Sequence, residues 1–349
     1  TNIPPHNLRE IIDACVTMID NPNATVADLM KHVKGPDFPT GAYIYGRKGI
    51  VDAYSTGRGR IIVRARMRVE QLKGGRTAIV VTELPFQVNK AGIVEDIANL
   101  IRDKKLTGIS DLRDESDRDG IRIVIELRKD EVPEVVMNNL YKHTQLQTTF
   151  GVIMLALVDG RPRYLSLPRL IQHYLNHRRD VVVRRTRFEL DRAEKRIHIV
   201  LGLCVVQDNI DAVVKIIRNA ANPEEAKAQL MARFKVPLEL LRPVYPDAKE
   251  AVPLSAEQAQ AILDMRLSRL TQLEKNKLLE ERDQLTAAIA MYRKILGDMS
   301  EVWKIVRREL LEIRDKYGDE RRTEILDESA ELTIEDLIAD ENMVITISH

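Results

Sequence analysis

Cysteine is almost missing: Cys15 and Cys204 are the only two among 349 residues. They lie far apart and outside any metal-ligand spacing, which excludes a disulfide scaffold and a thiolate metal site and suits a reducing compartment. Aromatic residues make up 4% of the chain, with a single Trp, so packing falls to Leu, Ile, Val and Ala, as in helix-rich proteins. No long apolar run occurs; Val152 to Val158 is the longest, far too short to span a bilayer. A surplus of one charge is missing too, since the net charge is +1. Signal peptide and initiating methionine are absent, and the opening Thr1-Asn2-Ile3-Pro4-Pro5 reads as a cut inside a longer protein. The chain has no glycine-rich phosphate loop, nucleophile elbow or paired-cysteine motif, and no internal repeat or low-complexity tract.

What is present is unevenly placed. The length suffices for two domains or more. Between Thr56 and Arg76 seven basic residues (Arg58, Arg60, Arg64, Arg66, Arg68, Lys73, Arg76) face one acid, Glu70, whereas Asp319 to Glu341 holds ten acids against Arg321 and Arg322. A basic block and an acidic tail in a neutral chain imply a local anionic partner.

Leu8 to Asp20 has helical apolar spacing and stops at Asn21-Pro22; Thr25 with Asp28 opens a second short helix. From Ala42 to Leu127 strand signals dominate. Ile61–Val69 and Thr77–Thr82 are joined by a hairpin turn at Lys73-Gly74-Gly75-Arg76, and Gly120–Leu127 and Gly151–Val158 are further strands. Helices are expected over Asn89–Lys105 and Glu131–Lys142, which makes an α+β domain. Two long helical stretches follow, about Pro168–Ala220 and Ser255–Tyr317, with a compact segment between them. Asn222-Pro223-Glu224-Glu225, and Ser255 with Gln258, carry capping-box patterns. Val302, Val306, Leu310, Ile313 and Tyr317 have the spacing of a two-helix seam, so an antiparallel coiled-coil arm is expected.

The sharpest chemical pattern is Arg58 to Val69. Alternation puts Arg58, Arg60, Arg64, Arg66 and Arg68 on one strand face and Ile61, Val63, Ala65, Met67 and Val69 on the other. Such a row, with Arg47 and Lys48 nearby, could neutralise a phosphate backbone; pairing with carboxylates such as Glu83 is the plainer alternative. Asp111, Asp114, Glu115, Asp117 and Asp119 lack calcium-loop spacing and read as a solvated turn, and His173 with His177 lacks a third metal ligand. Ile262, Leu263, Met265, Leu267, Leu270 and Leu273 do not form one stripe. Their helix is therefore buried on two sides, either by its own globule and a twofold-related second copy, or wholly inside the globule.

Several of these segments together resemble the DNA gyrase A-subunit family: Gln258 through Thr271, Gly35-Pro36-Asp37-Phe38-Pro39-Thr40, Thr56-Gly57-Arg58-Gly59 with Val63-Arg64-Ala65-Arg66, Arg113 to Gly120, Gln145-Leu146-Gln147, Thr1 to Asn7, and Arg321 to Ile325. The resemblance implies a type IIA topoisomerase of the bacterial, nucleoid-associated cytoplasm, which breaks one duplex, passes another through and reseals. Its A2B2 assembly carries ATP and magnesium on the B subunit. The family's active-site tyrosine lies on a preceding winged-helix domain, and none of the nine tyrosines here sits in a matching context, so no catalytic residue is carried over. The implied layout is connecting helices (1–31), an α+β tower domain (32–166), an outgoing coiled-coil helix (167–200), a helical exit-gate dimerisation domain (201–297), a returning helix (298–320) and an acidic tail (321–349) before a DNA-wrapping domain. Within it Arg47, Lys48, Arg58, Arg60, Arg64, Arg66 and Arg68 would contact double-stranded DNA. Ile262, Leu263, Met265, Leu267 and Leu270 would form the homodimer interface. The topoisomerase IV A subunit is the paralogous alternative, and a coiled-coil scaffold without a nucleic-acid role is the rival class.

Overall fold

The computed structural model of the chain describes residues 2–72, 75–265 and 272–327. Two compact units emerge: residues 1–175 with 309–349, and residues 176–308. The expected interface residues Leu267 and Leu270, the turn residues Lys73 and Gly74, and the tail from 328 onward lie outside the described residues.

The first unit opens with α1 (Leu8–Asp20) and α2 (Val26–Leu29). The Asn7 side chain accepts the Arg9 and Glu10 amides to start α1, and a full Thr25–Asp28 capping box starts α2. Then come β1 (Tyr43–Tyr45), α3 (Lys48–Thr56), β2 (Arg58–Arg64), β3 (Arg66–Gln71), β4 (Thr77–Glu83), α4 (Lys90–Arg102) and β5 (Ile109–Asp114). They are followed by β6 (Ile123–Leu127), α5 (Pro133–His143), β7 (Gln147–Ile153), β8 (Leu155–Val158) and β9 (Arg161–Tyr164). The helix α6 (Leu167–Gln207) carries the chain into the second unit, which continues through α7 (Ile210–Asn219), α8 (Pro223–Arg233), β10 (Lys235–Val236), α9 (Leu238–Leu241), β11 (Val252–Pro253), α10 (Ala256–Leu263) and α11 (Gln272–Gly297). The chain returns along α12 (Met299–Tyr317) and ends with β12 (Glu324–Leu326).

Two four-stranded sheets organise the first unit, in orders β12-β1-β2-β7 and β3-β4-β6-β5. All pairs are antiparallel except β12 with β1. In the second sheet Ile79, Val81, Ile123, Ile125 and Leu127 pack with Ile93 and Ile97 of α4 and Val136 and Leu140 of α5. Each such side chain contributes about 1.5–3 kcal/mol on burial. In the second unit Ile197, Leu201 and Val205 of α6 share a core with Val213, Leu230, Ile262 and Ile289.

Several expectations are corrected. The strand-rich stretch after Ala42 also contains α3, which Gly57 ends in the left-handed conformation. Asp111 and Asp114 belong to β5 rather than to a turn, because that segment zips onto β6. The first long helix stops at Gln207 and α7 turns by 95°, with the Asn209 side-chain amide donating back to the Val205 carbonyl at 2.9 Å. The second stretch is divided, α10 ending at Leu263 and α11 giving way to α12 at Asp298, whose carboxylate accepts the Ser300 amide at 2.8 Å. Val302, Val306 and Leu310 are buried as a seam requires, but Ile313 and Tyr317 are exposed. No single helix among the described residues is long and apolar enough to cross a membrane.

Candidate nucleic-acid interface

The expected single arginine row does not form, because the strand carrying it divides at Ala65. There the chain leaves the first sheet for the second: the Ala65 amide donates to the Leu146 carbonyl (2.7 Å), and the Tyr141 hydroxyl donates to the Ala65 carbonyl (2.9 Å). Arg58, Arg60 and Arg64 therefore ride on β2, Arg66 and Arg68 on β3.

Four of the seven expected contacts come together. Arg47 and Lys48 at the start of α3, with Arg58 and Arg60 on β2, line a concavity of about 1160 Å³ floored by Gly151 and Val152 of β7. Glycine makes this possible. Gly46 takes φ +82 in the turn into α3, and α3 lies so close on β2 that a Cβ at Gly49 would overlap the Arg60 carbonyl oxygen. Arg58 stacks over the exposed Tyr164 ring at 3.9 Å. Lys48 and Arg60 are exposed and form no ion pair among the described residues. Arg47 pairs with Asp327.

The other three have different neighbours. Arg64 keeps the expected side of β2 but is 6% exposed. Its guanidinium lies 3.7 Å from the Tyr45 ring centroid and 4.9 Å from that of Tyr141, with Nε donating to Gln147 Oε1 at 2.5 Å. Burial pushes the Tyr141 phenol up to about 12. Arg66 sits over Tyr43 and within 3.2 Å of both Glu83 and Glu324, so the plainer carboxylate reading holds for it. Arg68 pairs with Glu70 at 2.8 Å, and Arg122, also on that carboxylate, is the main cause of its lowered pKa. Val69, expected inward, is exposed. Around Arg68 a charge ladder runs over the second sheet, in which Arg76 (2.7 Å) and Arg113 (2.6 Å) both pair with the 3% exposed Glu126.

Sequence reasoning missed Arg161 and Arg163, both exposed on β9, the strand that carries Tyr164 beneath Arg58. The alternation Arg161-Pro162-Arg163-Tyr164 after the Asp159-Gly160 turn was the available signal.

In the second unit, Ile262 is 2% exposed and points into the globule's own core. Leu263 and Met265 are half-buried and line an apolar groove of about 280 Å³ with Ile210, Val214 and Ile217 of α7. Among the described residues no group of three His, Cys, Asp or Glu is placed to hold a metal.

Comparison with known proteins decides the family. The family model for the A subunit of DNA gyrase/topoisomerase IV matches residues 1–311. The chain belongs to that family. The DNA gyrase A subunit of Clostridium acetobutylicum is 50% identical over 349 residues, covering all of this chain and 40% of that protein. Those of Pseudomonas aeruginosa and Salmonella typhimurium are each 48% identical, covering all of this chain and 40% and 42% of theirs. The chain thus spans about two fifths of the length of the curated relatives it matches.

Two of the segments that carried the family resemblance meet in space. Asp37 of Gly35–Thr40 accepts the Arg322 and Thr323 amides at 2.9 Å each, and the buried Thr323 hydroxyl accepts the Phe38 amide at 2.7 Å. Arg321 donates to the Gly35 and Pro36 carbonyls at 2.8 Å and grips Glu10 of α1 with two nitrogens, at 2.5 and 2.8 Å. These gyrase-family residues lock the returning chain onto the first unit, which holds β12 beside β1. A third, Gln258, is 3% exposed and pins α10 to α6: its amide donates to the His198 carbonyl at 2.6 Å, and its oxygen accepts the Ser255 amide at 2.9 Å. A Cβ on Gly202 would stand 2.9 Å from the Gln258 side chain, so a glycine is needed at this crossing.

Proposed function

We propose that this chain is the tower, coiled-coil and exit-gate portion of a gyrase A subunit, binding duplex flanks and dimerising without cleaving DNA itself. The observation that carries the reading is the cluster of Arg47, Lys48, Arg58 and Arg60 in one open concavity. Guanidinium and ammonium groups there supply sequence-independent affinity for a phosphate backbone. The 41 residues of α6 extend about 60 Å. With the buried line of Val302, Val306 and Leu310 on α12, this length supports the two-helix arm. The apolar groove beside Leu263 and Met265 supports the gate, where a second copy would cover it.

In the whole enzyme, ATP-dependent negative supercoiling would use a tyrosine outside this chain, with magnesium and ATP on the B subunit of an A2B2 assembly. Tyr54 and Tyr141 here have phenols raised by burial, the opposite of what a nucleophile requires. A salt titration of binding to a duplex of about 40 base pairs tests the interface. Three to four phosphate contacts give a log–log slope of about −3 to −4. Arg58→Glu with Arg60→Glu should flatten it by about two, whereas Arg68→Glu should leave it unchanged. Equal, feeble binding by all forms would refute the interface and leave a dimerising scaffold.

A further inference from the structure

The basic concavity has an anion of its own. Asp327, one residue beyond β12, reaches into it and pairs with Arg47. Three residues earlier Glu324 of the same strand lies 3.2 Å from Arg66. The register of β12 on β1 explains the aim: Glu324 stands beside Tyr43 and Leu326 beside Tyr45, so the strand ends where β1 turns into the concavity. The Leu326 carbonyl accepts the Gly46 amide at 2.9 Å, which fixes Asp327 next to Arg47. Both carboxylates are more than half exposed on their side chains, at 53% and 71%. No apolar packing demands an acid at either place, and Asp327 occupies a guanidinium edge of Arg47 that a phosphate in the concavity would use.

We propose that Asp327, carried by β12, is an intramolecular competitor of duplex phosphate for the basic concavity. The inference rests on the DNA reading above and assigns that site a built-in regulator. Binding a duplex exchanges one anion for another at Arg47, so the strand sets the affinity of the concavity while leaving its cations in place. An exposed pair of this kind is weak, which suits a competitor that must give way.

The experiment compares the chain with Asp327→Asn, an isostere that keeps size and removes charge, by fluorescence anisotropy on the same duplex of about 40 base pairs. The expected result is about two- to fivefold tighter binding at low salt. That gain should shrink toward none above about 0.5 M salt, where screening removes both the pair and the competition. In the background of Arg47→Ala the substitution should bring much less, because the paired cation is gone. Unchanged thermal unfolding shows that the variant is folded. Equal affinity of the chain and Asp327→Asn, with binding still dependent on Arg47 and Arg60, overturns the competitor and leaves the DNA reading standing. A chain whose binding ignores Arg47 and Arg60 altogether overturns both.

Discussion

Replacing Arg321 by Ala should unlatch the returning chain from the first unit. The Arg321–Glu10 pair is only 17% and 14% exposed on its two side chains, and the guanidinium also serves the Gly35 and Pro36 carbonyls. Removing it strands a carboxylate and two carbonyl oxygens in a poorly hydrated site. Breaking a buried pair costs about 3–5 kcal/mol, and the residual exposure puts this one at the lower end, about 3 kcal/mol. Hydrogen exchange reads the effect locally: peptides covering 8–20, 35–41 and 321–327 should exchange about a hundredfold faster. Arg321→Met combined with Glu10→Gln removes both charges and should recover more than 1 kcal/mol relative to the summed single changes. A second readout comes from His6, whose pKa Arg321 helps to lower; it should rise in Arg321→Ala. Less than fivefold faster exchange in those peptides would refute the latch and rank the pair with ordinary surface ion pairs.

Three further outcomes are expected. His6 donates from Nδ1 to the Pro4 carbonyl (2.9 Å) and accepts from Tyr54 through Nε2 (2.7 Å), and burial lowers its pKa from 6.5 to about 4. Between those values the unfolded chain binds the extra proton, so the stabilisation is complete above pH 6.5. It is lost as pH falls to about 4, up to about 3 kcal/mol in all; urea midpoints of His6→Gln should lack that part of the slope. Gly49→Ala forces a methyl group into the Arg60 carbonyl oxygen and should lift α3 from β2, costing about 3 kcal/mol and abolishing duplex binding together. Gln258→Ala removes the second bond to the His198 carbonyl and leaves the Ser255 amide unserved and should cost about 1–2 kcal/mol, read in urea by the fluorescence of Trp303 in the second unit.

Which parts of this structure were legible depends on how far the deciding contacts lie along the chain. The helix Leu8–Asp20 and the caps at Thr25 and Ser255 were readable because side chain and amide are three residues apart or fewer. The breaks at Asn209 and Asp298 hid inside helical periodicity, since helix-forming residues continue on both sides of each cap. The α+β character and the basic cluster at Arg47, Lys48, Arg58 and Arg60 followed from alternation and charge. The division at Ala65 did not, because β2 and β3 keep the same alternating phase across it, and the contacts that hold Ala65 between the two sheets come from Leu146 and Tyr141, far along the chain. A run of arginines specifies positive charge and which side of a strand it takes. Whether each guanidinium reaches solvent is decided elsewhere: Tyr141 covers Arg64, Glu70 and Arg122 engage Arg68, and Glu324, 258 residues away, reaches Arg66. The candidate interface is therefore what remains of a longer basic pattern after the fold has assigned carboxylates and rings to the rest.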